Sequence, residues 1–241
     1  MQDHRAGYSR AFRAVEITSI TTFAALLAWL AWRLAPHARA APLLLGLAMT
    51  CAYVAADFVS GFVHWMGDTW GSPELPLLGP ALVRPFREHH VDPKAMTRHD
   101  FVETNGANCM IALPAAVASL LIPLDDGPWA ALRQFSAMFF GALIVWVMAT
   151  NQIHKWAHAD AAPGVVRLLQ RWRVILNPVH HEQHHQSPFD RHYCITTGWL
   201  NEPLARVRFF RRLERMVTMA TGLRPREGEG ATAAALGARV S

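Results

Sequence analysis

The sequence predicts an all-α integral membrane protein with about four transmembrane helices and a histidine-rich cytoplasmic cap. Three observations support this fold class. Of the 241 residues, 52% are hydrophobic and only 17% are charged. The apolar residues gather in four runs, each close to the roughly 20 residues that cross a bilayer as a helix. Finally, eleven of the thirteen histidines lie between His64 and His192, beside the apolar runs rather than inside them.

The four apolar runs are predicted to cross the membrane at about residues 17–34, 42–63, 109–124 and 130–149. Asp57 interrupts the second run near its end. The third run is short and contains Pro114, so we expect it to be tilted, kinked or re-entrant. A soluble helical bundle is the alternative, but its helices would carry polar stripes that the first and fourth runs barely have.

Around this membrane domain, taken as residues 17–222, we predict a cytoplasmic N-terminal tail at 1–16 and a disordered, Gly- and Ala-rich tail at 223–241. With four crossings, the loop from His64 to Asn108 and everything after Ala149 share one side with the N-terminal tail. Thirteen of the 23 Lys and Arg residues lie after residue 150. The positive-inside rule therefore makes the side that carries the clustered histidines cytoplasmic.

The net charge of +5 suits an anionic lipid surface or an acidic protein partner. We expect no nucleic-acid partner, because no recognition motif accompanies the charge. Cys51, Cys109 and Cys194 are isolated in the sequence, so neither a disulfide framework nor a cysteine-based zinc site is predicted.

Two basic amphipathic segments are predicted to be helices that lie in the lipid headgroup region or cover the core domain. In the first, residues 164–176, six apolar residues share a helical face: Val165, Leu168, Leu169, Trp172, Ile175 and Leu176. The second, residues 204–217, has an apolar face of Val207, Phe210, Leu213 and Val217. Its five arginines are Arg206, Arg208, Arg211, Arg212 and Arg215.

Eight histidines have the spacing of a site for two metal ions. Imidazole is the commonest protein ligand for redox metals. Residues three and four apart share a helical face, whereas adjacent residues point apart, so that a doublet can serve two metals. The set exceeds the three or four protein ligands of one zinc ion. The predicted metal ligands are His64, His89, His90, His154, His158, His181, His184 and His185.

Two polar residues are predicted to support these ligands, and no catalytic group is assigned beyond the ligands themselves. Asp68 follows His64 by one helical turn, as an additional ligand or as an acceptor for a ligand's hydrogen bond. Asn151 continues the helical face of His154 and His158 at its membrane end. For His99 and His192 a polar structural role and a contact with the ligands stay equally open.

A competing signature overlaps the last histidine cluster. The residues His181-Glu182-Gln183-His184-His185 match H-E-x-x-H, the helix signature of zinc metalloproteases. A protease would leave the other histidine pairs without a use. The E-x-x-H motif of ferritin-like proteins is also present, but those proteins need a second copy and further glutamates.

Six stretches of sequence closely resemble the Kua/CarF lipid desaturase family, in order, over about residues 52–222. They are FVHWMGDTWG (62–71), RPFREHHVDP (84–93), TRHDFVETNGAN (97–108), NQIHKWAH (151–158), HHEQHHQSP (180–188) and CITTGWLNEPL (194–204). Phe189 and His192 depart from the family pattern, which carries a histidine and an aromatic residue there. Neither departure removes a predicted ligand.

The resemblance implies a fatty-acid-desaturase-like membrane enzyme that holds two iron ions on the eight histidines. Within the last cluster, the family spacing favours His181, His184 and His185 over His180 and leaves Glu182 at a variable position. The family includes plasmanylethanolamine desaturases, so the implied substrate is plasmanylethanolamine, an ether phospholipid. The implied reaction uses dioxygen to form the vinyl ether bond of plasmalogens in the sn-1 alkyl chain.

Such a reaction needs two electrons from outside the substrate. The chain has no haem-attachment or iron–sulfur cysteine motif and no dinucleotide fingerprint, so we expect a separate donor of cytochrome b5 or ferredoxin type. Two alternatives stay open at this point. One is a membrane di-iron lipid hydroxylase or acyl-lipid desaturase, and the other is a membrane signalling protein that uses metal only for stability.

Overall fold

The computed structural model describes residues 9–76, 79 and 83–225 of the chain. Parts of the predicted tails at 1–16 and 223–241 lie outside these residues. Within the described residues all regular elements are helical, which confirms the all-α prediction, and a 3₁₀ turn over Ala95–Arg98 precedes α4. The α-helices are α1 (Arg10–Ala40), α2 (Pro42–Thr69), α3 (Arg84–Val91), α4 (Phe101–Leu121), α5 (Ala130–His158), α6 (Gly164–Arg171), α7 (Pro178–Glu182), α8 (Asn201–Arg206) and α9 (Phe209–Thr221).

Four of these helices, α1, α2, α4 and α5, are long and apolar enough to cross a membrane. Each begins earlier or ends later than the apolar run that predicted it. In α4 the helix begins at Phe101 and is continuous through Pro114. Large apolar side chains on the four helices are exposed, among them Trp32, Leu43 and Leu121. Such continuous apolar surface suits contact with lipid.

The described chain forms two compact units, to which α2 and α5 both contribute. The first unit comprises the described residues up to Ala56 together with His99–Gln152. In it α1 packs against α4, and the core contains Phe23, Cys109 and Ile144. A charge inside the apolar segment is satisfied locally, because the guanidinium of Arg33 donates to the carbonyls of Leu120 and Ile122 at the end of α4.

The second unit comprises Asp57–Arg98 and the described residues from Ile153 onward. It therefore contains the ends of α2 and α5, all of α3 and α6–α9, and every predicted metal ligand. Its apolar core is aromatic and is built on Trp65, Tyr193 and Phe210.

The first predicted amphipathic helix ends earlier than its sequence pattern suggested. The helix α6 stops at Arg171, and Arg173 adopts a left-handed conformation with φ 54°. Leu176 leaves the helix because its N–H donates to the carbonyl of Thr196 at 2.9 Å. The predicted apolar face up to Leu176 was therefore wrong beyond Trp172. The outward face of α6 still exposes Val165, Leu168 and Trp172.

The second predicted amphipathic helix is two helices. Arg208, with φ 50°, separates α8 from α9. The break lets α9 turn Phe210 and Glu214 inward, while Val207, which was assigned to the apolar face, is 50% exposed. A single helix over residues 204–217 was therefore wrong, although the basic character of the outer surface is retained.

Candidate metal centre

Four helices and one turn bring the eight predicted histidines together in the second unit. His64 comes from α2, the doublet from α3, and the pair His154 and His158 from the last turns of α5. The remaining three come from α7 and the turn that follows it. All eight fall in two overlapping groups, in each of which the donor atoms lie within 4.8 Å of one another.

The first histidine group consists of five residues on α3, α5 and the α7 region. The Nε2 atoms of His154 and His181 are 2.8 Å apart, and those of His158 and His181 are 2.9 Å apart. His154 to His158 and His181 to His185 both measure 3.1 Å. The members of the group are His89, His154, His158, His181 and His185.

The second histidine group consists of His64, His89, His90 and His184. The Nε2 atoms of His90 and His184 are 2.9 Å apart. The Oδ2 atom of Asp68 lies 3.3 Å, 3.6 Å and 3.5 Å from the Nε2 atoms of His64, His90 and His184, respectively. The carboxylate predicted beside His64 therefore faces three imidazoles at once.

Backbone carbonyls orient three of these rings. The Nδ1 atom of His64 lies 3.1 Å from the carbonyl of Tyr193, and that of His89 lies 2.7 Å from the carbonyl of Phe86. The Nδ1 atom of His184 lies 2.8 Å from the carbonyl of Arg191. In each case Nδ1–H donates to the carbonyl, which leaves the Nε2 lone pair free for a metal.

Burial keeps three imidazoles of the cap, those of His89, His181 and His185, in the neutral form that binds metals. Loss of solvation lowers the pKa of His89 and of His181 well below the usual value, and nearby histidines lower it further. The same causes lower the pKa of His185 to about 2. A neutral ring offers a lone pair without first losing a proton.

The donor set fits metal ions on two grounds. The Nε2 atoms of His64 and His89 are buried and have no hydrogen-bond partner among the described residues, which leaves them available as ligands. Two nitrogens bound at right angles at about 2.1 Å would lie about 3 Å apart. The separations of 2.8 Å to 3.1 Å within the groups match that edge length.

The spacing of the last three predicted ligands had suggested one continuous helix, but the structure does not have one there. The helix α7 ends at Glu182, and the N–H of His184 donates to the carbonyl of His181 at 2.8 Å in a tighter turn. This turn still delivers the three side chains to one place. It also leaves Glu182 exposed.

Several predicted or candidate residues lie outside the two groups. Asn151 belongs to the first unit, where its amide donates to the carbonyl of Thr104 at 3.3 Å. His99 is exposed. His180 and His192 stack on each other with ring centroids 4.9 Å apart. Phe189, one of the departures from the family pattern, stacks on His90 at 4.9 Å.

Sequence reasoning missed the anchor of the loop that follows the last histidines. Asp57, fully buried on α2, accepts the backbone N–H groups of Thr197, Gly198 and Leu200 at 2.7–3.0 Å. This anchored loop begins near Tyr193, whose carbonyl orients His64. The one available signal was a carboxylate inside an apolar run, which is expensive unless it is satisfied.

Four helices that are long and apolar enough to cross a membrane, together with two overlapping histidine groups that could hold metal ions, define the class: a membrane protein with a candidate histidine-ligated metal site. The comparison with known proteins narrows this class. Residues 53–228 match the family model of the lipid desaturase domain. The chain belongs to the lipid desaturase family.

The curated relatives agree with this assignment. The chain is 56% identical to the plasmanylethanolamine desaturase of Myxococcus xanthus. The alignment spans 229 residues, which are 95% of this chain and 80% of the relative. It is 46% identical to plasmanylethanolamine desaturase 1 of Mus musculus, over 77% of this chain and 69% of the relative. Chloroplastic fatty acid desaturase 4 of Arabidopsis thaliana is 30% identical, over 77% of this chain and 54% of the relative. No solved structure matches the chain.

Proposed function

We propose that this protein is a plasmanylethanolamine desaturase that forms the vinyl ether double bond of plasmalogens in the sn-1 alkyl chain. The observation that supports the proposal most strongly is the pair of overlapping histidine groups, found in a chain that is 56% identical to a plasmanylethanolamine desaturase. The substrate class comes from the relatives, and the metal chemistry comes from the donor set.

The proposed metal centre contains two iron ions, one for each histidine group. His89 lies in both groups but offers one free Nε2 lone pair, so it would bind one of the two ions. Asp68 would complete the second group as a ligand or as an acceptor beside the ligands. Iron bound there would supply dioxygen-dependent oxidation of an unactivated alkyl chain, which no side chain can perform alone.

The protein's own residues prepare this site in three ways. The carbonyls of Phe86, Tyr193 and Arg191 fix the ring orientation of their histidines. Burial keeps the imidazoles of His89, His181 and His185 neutral and limits the access of water to them. The carboxylate of Asp68 places a negative charge beside the imidazoles of the second group, where it would offset part of the charge of bound cations.

The electron balance requires a second protein. Desaturation removes two hydrogen atoms, and therefore two electrons, from the alkyl chain, whereas reduction of dioxygen to two waters consumes four. Two electrons must come from an external donor, which we propose is of cytochrome b5 or ferredoxin type. The basic residues after residue 150 support a cytoplasmic position for the site, where such donors are found.

Lipid mass spectrometry tests the proposal directly. Cells that express the wild type and receive a saturated alkyl-ether phospholipid should accumulate the acid-labile vinyl ether, and only with oxygen. His181→Ala should accumulate none, whereas His37→Ala, a change outside both groups, should behave as the wild type. A stable hydroxylated ether would instead identify a hydroxylase, and a new double bond in acyl chains would identify an acyl-lipid desaturase.

Metal analysis of the purified protein tests the centre itself. We expect about two irons per chain, because the eight-histidine set is too large for one ion. Stoichiometric zinc, with activity restored by zinc alone, would contradict the di-iron proposal. If His181→Ala unfolded the protein rather than inactivating it, the metal would have a structural role only.

A further inference from the structure

We infer that the exposed basic face of α9 is the docking surface for an acidic one-electron carrier protein, and that electrons reach the histidine site through the aromatic side chains beneath that face. This inference rests on the proposed function, because the reaction needs two external electrons. It adds where the donor binds and which side chains connect it to the metal centre.

The docking face is defined by five exposed residues, the N-cap residue Arg208 and four residues on one side of α9: Arg212, Arg215, Met216 and Met219. Its three arginines form no ion pair within the described residues. The neighbouring arginines differ, because Arg206 pairs with Glu202, and Arg211 pairs with both Asp190 and Glu214. The face therefore keeps its full positive charge for a partner.

The shape of this face suits a protein partner. Arg212, Arg215, Met216, Thr218 and Met219 line a shallow depression of about 500 Å³. Met216 and Met219 are 60% and 78% exposed. Methionine side chains adapt to varied partner surfaces, and a ring of charge around a small apolar centre is typical of a transient interface.

The opposite side of α9 is connected to the candidate metal centre by a chain of aromatic ring contacts. The ring centroid of Phe210 lies 5.0 Å from that of Tyr193 and 5.6 Å from that of Trp65. Tyr193 lies 5.3 Å from the ring of His184 and 5.9 Å from that of His64. Both histidines belong to the second group, so one aromatic layer separates the inner face of α9 from two predicted ligands.

Hydrogen bonds to the buried carboxylate of Glu214 fix α9 on this layer. Glu214 accepts a hydrogen bond from the indole N–H of Trp65 at 3.2 Å and a second from Arg211 at 2.9 Å. Trp65 directly follows the ligand His64 on α2. The docking face is therefore carried by a helix that is tied to the ligand-bearing segment, and close packing leaves few gaps between them.

An anionic membrane surface is the competing occupant, and the residue types favour the carrier. The outward face of α6 carries Val165, Leu168 and Trp172, large apolar groups of the kind that enter the headgroup region. The docking face of α9 presents no exposed aromatic side chain. Its position over the aromatic contacts to His64 and His184 would have no use in lipid binding.

The experiment measures how fast the iron-loaded protein oxidises a reduced carrier. The protein is placed in phosphatidylcholine nanodiscs, and the probe is the soluble haem domain of a cytochrome b5. Arg212→Glu/Arg215→Glu should lower the second-order rate about 10-fold or more at low salt, and should remove the dependence on ionic strength. The matched double reversal Arg167→Glu/Arg171→Glu, on α6, should leave the rate within about twofold of the wild type.

The aromatic connection is tested separately. Phe210→Leu keeps an apolar side chain but removes the ring, and it should lower the oxidation rate at saturating probe without changing the salt dependence. An unchanged maximal rate in this variant would exclude the proposed path. Equal losses in the two double reversals, or a loss that appears only with anionic lipid in the nanodisc, would overturn the docking surface.

The proposed function has its own readout in the same preparation. Dithionite-reduced wild type, given a plasmanylethanolamine and oxygen, should form the vinyl ether in one turnover, and Arg212→Glu/Arg215→Glu should form as much. Absence of product in both would reject the desaturase activity, whereas the oxidation rate of the probe still reports on the docking surface.

Discussion

The two histidine groups differ in how their rings are held and in the charge beside them. In the second group, backbone carbonyls accept the Nδ1–H of His64, His89 and His184, and Asp68 supplies a carboxylate. In the first group the Nδ1 atoms of His181 and His185 are buried with no hydrogen-bond partner among the described residues. The second group is oriented before a metal arrives, whereas the first depends on packing.

This difference has a consequence for metal binding. Acceptors beyond the ligands orient the rings and raise their basicity, and their loss typically costs 10- to 100-fold in metal affinity. Within the described part of the chain, His89 is the only member of the first group that is oriented in this way, and several Nε2 atoms of the group lie within 3.1 Å of one another. We therefore expect the second group to bind its iron more tightly and the first to lose its iron first during chelation.

The largest effect is expected at His89, because it belongs to both groups. His89→Ala should lower product formation by about 100-fold or more and lower the iron content below two per chain, because it removes the ligand that stands where the two groups meet. His158→Ala, which removes a ligand of the first group only, should retain about one iron per chain. Elemental analysis beside the activity measurement distinguishes these results. Retention of two irons in His89→Ala would contradict its assignment as a ligand.

The next effect concerns the carboxylate of the second group. Asp68→Asn keeps the shape of the side chain but removes its charge, so it should weaken iron binding in that group by roughly 10- to 100-fold. The iron of the first group should remain. Asp160→Asn serves as the control, because that carboxylate is exposed and pairs with Lys94. Equal iron affinities in wild type and Asp68→Asn would mean that the two groups do not differ in this respect.

The membrane helices and the histidine set were predictable from sequence for different reasons. Apolar length alone identifies a span, so α1, α2, α4 and α5 follow from composition. The polar ends of the helices do not contribute to an apolar run, so the runs predicted helices that are too short. One such end is the capping box of Asp100 and Glu103 at the start of α4. The histidines were found because three- and four-residue spacing survives a change from α-helix to tighter turn.

The supporting groups could not be predicted because most of them are backbone atoms. The carbonyls of Phe86 and Arg191 become acceptors only through the tertiary fold, whatever their side chains. The same limit applies to Arg173 and Arg208, whose left-handed conformations end or divide helices that the hydrophobic pattern would continue. Periodicity specifies a face but not the point at which the chain must turn to pack.

A smaller effect is expected at His192, which lies outside both histidine groups, on the pH dependence of stability. Burial lowers the pKa of His192 to about 4, whereas an unfolded histidine titrates near 6.5. Between these values the unfolded chain binds a proton that the folded chain does not, so the stability of the metal-free protein falls as pH drops from about 6.5 to about 4.

Thermal unfolding of the chelated protein over this pH range measures that contribution. Asparagine tolerates the positive φ of 61° at this position. His192→Asn should therefore fold, and its unfolding free energy should depend less steeply on pH, by the equivalent of up to one bound proton. His37→Asn controls for the removal of any histidine. An unchanged slope in His192→Asn would mean that His192 is protonated in the folded protein.

The smallest effect is expected at Glu182. A variant at this position distinguishes a metal centre built from two histidine groups from a zinc hydrolase built on one motif. In H-E-x-x-H enzymes the glutamate acts as general base, so its amide variant is inactive. Here Glu182 is exposed at the end of α7 and forms no hydrogen bond or ion pair with the described residues. Glu182→Gln should therefore keep vinyl ether formation within about twofold of the wild type. His184→Gln, two positions away and within the second group, is the matched comparison and should be inactive. An inactive Glu182→Gln beside an active His64→Ala would reverse the assignment and place the chemistry on the motif alone.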